Sequence, residues 1–161
     1  MAALAEAWKE IAVLEERLDR AMGEVFGTMM GVGCEEAGDG SGIEGETVCA
    51  LIGLAGVLTG TVVLQASKAA AMRIAGCLTG VEPEAVDATV RDAIGEVGNM
   101  VAGAWKGYDP ELASRCLLST PTVIVGRKYE LFSRKAAIRM ERMYQFEEHL
   151  CSVTVSCQRG S

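Results

Sequence analysis

The chain has a single histidine, and its six cysteines, at 34, 49, 77, 116, 151 and 157, contain no Cys-x-x-Cys pair. A structural zinc site is built from those two residue types at close spacing, so no metal site is expected and the cysteines read as reduced thiols. Cys49, Cys77 and Cys116 sit among apolar neighbours, where cysteine behaves as a small hydrophobe. Basic charge is scarce as well: 15 Lys and Arg stand against 22 Asp and Glu, a net charge of −7. Nucleic-acid affinity rests on clustered cations, so no nucleic-acid partner is expected. The glycine-rich and acidic stretch from Gly31 to Gly45 lacks lysine and is not followed by Gly-Lys-Ser/Thr, which argues against a phosphate-cradling loop. It reads as a loop with room for a short edge strand.

Long uncharged runs are also rare. One, from Thr47 to Ser67, has 21 residues, close to the roughly 20 that span a bilayer as helix. Gly53, Gly56 and Gly60, with Thr59 and Thr61, divide it into β-branched runs of strand length. Two buried strands and a turn are therefore expected, and no membrane insertion. Near the N-terminus Glu6, Lys9 and Glu10 interrupt any apolar run that could serve as a signal sequence, so a cytoplasmic location is expected.

What is present suits one domain over residues 1–161, half hydrophobic and 23% charged. Leu4, Trp8, Ile11, Leu14, Leu18, Met22, Val25 and Met29 keep helical spacing, which predicts a first helix from Ala5 to about Met30. A hairpin is predicted from Glu46 to about Leu54 and from Gly60 to Gln65. Its turn is apolar, so Val57 and Leu58 either fold back or mark a contact surface. Ser67 is read as the N-cap of a helix with Met72, Ala75 and Leu78 inward, ended by Gly80. Later strands are predicted over Ala113–Ser119, Thr122 to about Phe132, Ile138–Phe146 and Leu150–Cys157. Tyr129, Phe132, Tyr144 and Phe146 read as core or edge residues, with a dimer interface as the alternative. Arg127, Lys128, Arg134, Lys135 and Arg139 read as solvated, and His149 beside Glu147 and Glu148 as a surface turn.

Pro83 to Lys106 reads as the central helix, with proline in its first turn. Val86, Val90, Ile94, Val97, Val101 and Trp105 form its packing face, while Asp92, Glu96, Asn99 and Gly103 follow the same steps on the outward face. Gly95, Gly98 and Gly103 each cost about 1 kcal/mol in a helix interior relative to alanine. Either another backbone of the chain or a separate macromolecule approaches there; packing on the first helix through Gly23, Gly27 and Gly31 is one form of the former. At an offset of 72 residues Ala21-Met22-Gly23-Glu24-Val25 falls on Ala93-Ile94-Gly95-Glu96-Val97, with Gly27 opposite Asn99. A duplication of about 5–72 and 77–158 and a chance match of helical alanines and glycines both account for that echo.

Asp92-x-x-x-Glu96-x-x-Asn99, followed by Met100 and Gly103, resembles the signature helix of the CheC, CheX and FliY response-regulator phosphatases. The GEVF of the first helix, Gly60-Thr61-Val62-Val63-Leu64, the alanine-rich helix around Ala70 and Thr120-Pro121-Thr122-Val123-Ile124-Val125-Gly126 follow in the order of that family. With one complete motif the chain is most similar to CheX. It departs in having Ala104 where CheX-like sequences have asparagine.

The resemblance implies a two-layer α+β sandwich, with long helices on one face of a mainly antiparallel sheet, and a homodimer joined through sheet edges. It implies hydrolysis of the phosphoaspartate of a CheY-like receiver domain, with Asn99 and Glu96 catalytic. Asn99 would position the attacking water and Glu96 would dock to the receiver's lysine. Asp92, Gly95 and Gly103 are the implied partner-contact residues, with a solvated helix carboxylate the plain alternative for Asp92. No metal ligand and no cofactor of the chain's own are implied; magnesium would come from the receiver. A non-catalytic receiver-binding or dimerisation module with the same fold is the alternative function.

Overall fold

The computed structural model describes residues 2–38, 42–127 and 136–160. In chain order the elements are α1 (Ala2–Met30), β1 (Glu35–Glu36), β2 (Glu46–Gly56), β3 (Leu58–Ser67), α2 (Lys68–Thr79), α3 (Ala88–Gly107), α4 (Pro110–Arg115), β4 (Cys116–Leu118), β5 (Thr122–Arg127), β6 (Ile138–Phe146) and β7 (His149–Arg159). The strands form one sheet in the order β1-β6-β7-β3-β2-β4, and β5 also pairs with β2. Every pairing is antiparallel. Helices pack on this sheet around one core, the expected α+β architecture.

Local chemistry sets the helix ends. Ser67 Oγ accepts from the Ala70 N–H at 3.0 Å, and Gly80, at φ 77°, returns its N–H to the Gly76 carbonyl at 2.8 Å. Both caps of α2 are thus those expected, because a hydroxyl satisfies an orphan N–H and only glycine enters the left-handed region at no cost. Its inward face is as expected and wider: Ala75 is buried and Met72 and Leu78 pack half-buried against the core, with Ala70, Ala71 and Ile74 buried beside them. The start of α3 is corrected. Asp87 accepts from the Val90 N–H at 3.1 Å, so the helix begins at Ala88 and not at Pro83, and Val86 lies before it. Glu82 lies before this start, and its carboxylate accepts from Arg73 at 2.7 Å.

Ala113–Ser119 is likewise not all strand. Asp109 accepts from the Glu111 and Leu112 N–H groups and Pro110 occupies the first turn, which creates α4 and leaves only Cys116–Leu118 as β4. On α1, Met29 is 38% exposed instead of inward, and buried Phe26 packs on Phe146 with ring centroids 5.0 Å apart. Side chains at 4 and 8, together with Lys128, Tyr129, Phe132, Arg134 and Lys135, lie outside the described residues.

β1 is the edge strand expected in the Gly31–Gly45 stretch. Arg142 binds it to the core, donating to Glu36 and Asp19 at 2.7 Å each, while buried Tyr144 donates to Asp19 at 2.6 Å. Tyr144 and Phe146 are core residues, and His149 rests against the Phe146 ring at 5.5 Å. Val57 and Leu58 fold back, half-buried, into a cleft of about 400 Å³ shared with Leu14, Leu112 and Ile138. No helix among the described residues is long and apolar enough to cross a membrane.

Candidate functional site

Val90, Ile94, Val97, Val101 and Trp105 are all buried, so the inward stripe of α3 is as expected. The Trp105 Nε1–H donates to the Leu14 carbonyl at 3.2 Å and ties α3 to α1. Arg17 pairs with Asp109 at 3.1 Å, Tyr108 donates to Glu24, and Arg20 lies 4.2 Å over the Tyr108 ring. These larger groups make the α1–α3 seam. Glycine packing through Gly23, Gly27 and Gly31 does not: a Cβ added at any of the three meets nothing within 4 Å.

Gly98 has a different use. A Cβ there would lie 2.8 Å from Ala50 Cβ and 3.0 Å from Ile52 Cδ1, so glycine is what lets α3 approach β2. Gly95 is buried against the chain's own edge, with a Cβ position 3.2 Å from Val123 Cγ2 and 3.4 Å from Pro121 Cγ. Gly103 is half-buried two turns on, where an added Cβ would lie 4.0 Å from Leu118 Cδ1.

On the outer side Asp92, Glu96 and Asn99 are exposed, and none has a hydrogen-bond or ion-pair partner among the described residues. Glu96 and Asn99 are three residues apart and hence neighbours on the surface of α3. With Arg91, Asp92 and Gly95 they form one side of a shallow depression of about 600 Å³, whose opposite wall is Pro121 and Val123. Gly103 does not line it.

That wall stands where it does because two short strands share the outer edge of β2. Between β4 and β5, Ser119 exchanges bonds with Gly53: its N–H donates to the Gly53 carbonyl at 2.9 Å and its Oγ accepts from the Gly53 N–H at 2.7 Å. The break keeps residues 119–121 on the edge and brings Pro121 against Gly95. In the sequence Pro121 and Val123 stand out only as part of the family-like stretch Thr120–Gly126, and Arg91 not at all; their meeting depends on the β2–β5 register. One compositional signal was there to be used: Asn99 is the only asparagine in the chain.

Chemically the depression offers one neutral group that both donates and accepts, and carboxylates with no internal partner among the described residues. Such groups can order a water and pair with an incoming cation, and the open setting suits a macromolecular surface. No cluster of histidine, cysteine and carboxylates with metal-binding geometry occurs among the described residues.

The family model described as chemotaxis phosphatase CheX matches residues 48–141, which include α3 and both walls of the depression. Among solved structures, the chain is similar to a chemotaxis protein CheX from Vibrio vulnificus, with a TM-score of 0.77, 18% identity, and coverage of 90% of this chain and 96% of that one. It is similar to a CheX–CheY–BeF3–Mg complex from Borrelia burgdorferi, with a TM-score of 0.67 and 19% identity over 89% of this chain and 97% of that one. Thermotoga maritima FliY also shares the fold, at a TM-score of 0.66, 21% identity, and 92% and 90% coverage. No curated protein sequence matches the chain.

Proposed function

The chain belongs to the CheX family of chemotaxis phosphatases, and from that premise we propose that it accelerates hydrolysis of the phosphoaspartate on a CheY-like receiver domain. The observation that carries this reading is the exposure of Glu96 and Asn99, without internal partners among the described residues, on one face of α3 above the depression. An acyl phosphate hydrolyses unaided, so a helper protein need only place water in line with phosphorus and hold the geometry, which is catalysis by positioning.

Asn99 is suited to that task because its carboxamide can accept from the water through Oδ1 and donate through Nδ2 without titrating. The water oxygen bonds to phosphorus as the bond to the aspartyl oxygen breaks, giving phosphate and a free carboxylate. Glu96, one turn earlier, pairs with the receiver's lysine and fixes the register of docking. Asp92 meets the receiver's rim. Gly95 keeps the floor of the depression low by its contact with Pro121 and Val123. Gly103, which does not line the depression, belongs to the outer part of the same contact. Magnesium, in this reading, is held by the receiver and neutralises the phosphoryl oxygens. Two copies pair through sheet edges, where added strands would cover open backbone; mass in solution tests that part, and a monomer at working concentration refutes it.

The decisive assay follows dephosphorylation of purified receivers from the same genome. Asn99→Ala should lose at least about a hundredfold of the acceleration, the scale of a lost positioning group, with receiver binding largely kept. If the wild-type chain never exceeds a receiver's own hydrolysis rate, it is a non-catalytic binding module.

A further inference from the structure

Resting on that reading, we propose that Arg91 selects the partner, by pairing with a carboxylate on the receiver surface beside the phosphorylation site. Every arginine with a described side chain except Arg91 and Arg127 lies within 4.0 Å of a carboxylate. Arg127 ends β5, whereas Arg91 lines the depression and is its only cation among the described residues. Asp87, one turn before it, is engaged by the Val90 N–H.

Its position is also unfavourable for the isolated chain. Arg91 stands four residues into α3, near the positive end of the helix dipole, where a cation is destabilising unless something opposes it. Among the described residues the Asp87 carboxylate at the cap is engaged by the Val90 N–H and no carboxylate lies within 4.0 Å of the guanidinium, which leaves it open to a counter-charge from a partner. The chain's net charge of −7 repels an acidic partner at long range, and attraction at this face has to be local.

Geometry separates docking from chemistry. Arg91 precedes Asn99 by eight residues, about 12 Å along a helix rising 1.5 Å per residue. Its guanidinium therefore meets the partner beside the phosphoryl group and not on it. The face reads, along α3, as cation, carboxylate, carboxylate, carboxamide at 91, 92, 96 and 99. An accepted receiver presents the complement, with a carboxylate opposite Arg91 and a cation opposite Glu96.

The test is calorimetric titration with each CheY-like receiver of the same genome, loaded with beryllofluoride and magnesium. For the receiver that wild type binds, Arg91→Ala should raise Kd about tenfold and Arg91→Glu further, while Arg91→Lys recovers most of the loss. The slope of log Kd between about 0.05 and 0.3 M salt should be shallower in Arg91→Ala. Reversing one receiver carboxylate to arginine should restore binding to Arg91→Glu. In turnover assays KM rises and kcat stays. Unchanged Kd in Arg91→Glu, or a fall in kcat at constant Kd, overturns the assignment. Binding that shows the Arg91 effects without any turnover removes the phosphatase reading alone; no receiver bound removes both.

Discussion

Ala21-Met22-Gly23-Glu24-Val25 on α1 and Ala93-Ile94-Gly95-Glu96-Val97 on α3 are nearly the same five residues, yet they are used in opposite ways. Glu24 accepts from the Tyr108 hydroxyl and pairs with Arg20 at 3.4 Å, so its charge is turned to the seam between the two helices. Glu96 has no such partner among the described residues and faces the depression. Gly23 borders open space, while Gly95 is pressed by Val123 and Pro121. Three residues further, Gly27 offers α1 nothing where α3 has Asn99. Identical letters become a structural clasp in one place and a presented surface in the other, and the neighbours decide which.

The comparison can be broken by substitution. Glu96→Ala should weaken receiver binding by about 2 kcal/mol, or thirtyfold in Kd, as for one member of a docked charge pair; Glu24→Gln should leave Kd unchanged. Equal losses in titration would mean that both carboxylates serve the partner. Gly27→Asn added to Asn99→Ala should restore no turnover, because the α1 carboxylate is engaged by Tyr108 and Arg20. Gly98→Ala should cost about 1–3 kcal/mol by overpacking against Ala50 and Ile52. Gly23→Ala should instead stabilise by up to about 1 kcal/mol, since the new methyl meets nothing and helix propensity improves. Denaturant midpoints check both.

The smallest effect is in pH dependence. Burial, and then the bond to Glu24, push the Tyr108 hydroxyl up to about 12 from its ordinary 10. The folded state keeps that proton where the unfolded chain has lost it. The contribution is therefore complete below pH 10 and is lost as pH rises toward 12. Tyr108→Phe should flatten the decline of the denaturant midpoint over that window, and an unchanged slope would mean that the seam does not hold the proton.

Much of the fold was legible because the signals were local. Ser67 and Gly80 bracket α2 as read, and β6 alternates as its residues suggest, whereas β7 is buried on both faces, Ser152 and Ser156 included. Proline was the misleading signal. Pro83 follows a glutamate that does not cap and starts no helix, whereas Pro110 follows Asp109, which caps α4. The identity of the residue before proline carried the information in both places. At the site, helical spacing alone was enough to put Glu96 and Asn99 on one outward face. The facing wall was not legible, because Pro121 reaches Gly95 only through the pairing of Val48–Leu51 with Thr122–Val125, some seventy residues apart in sequence. Long-range register leaves no trace in local composition.

Gly98 acts as a shim: it sets how far the α3 backbone stands from the sheet, and the height of Asn99 above the surface follows from that spacing. The amide's placement is thereby gauged from Ala50, a small core residue on the far side of the rod. A bulkier residue at that hidden position would tilt or lift the outer face while every exposed side chain remained chemically intact. Lesions of this kind would read as surface defects although no surface residue had changed.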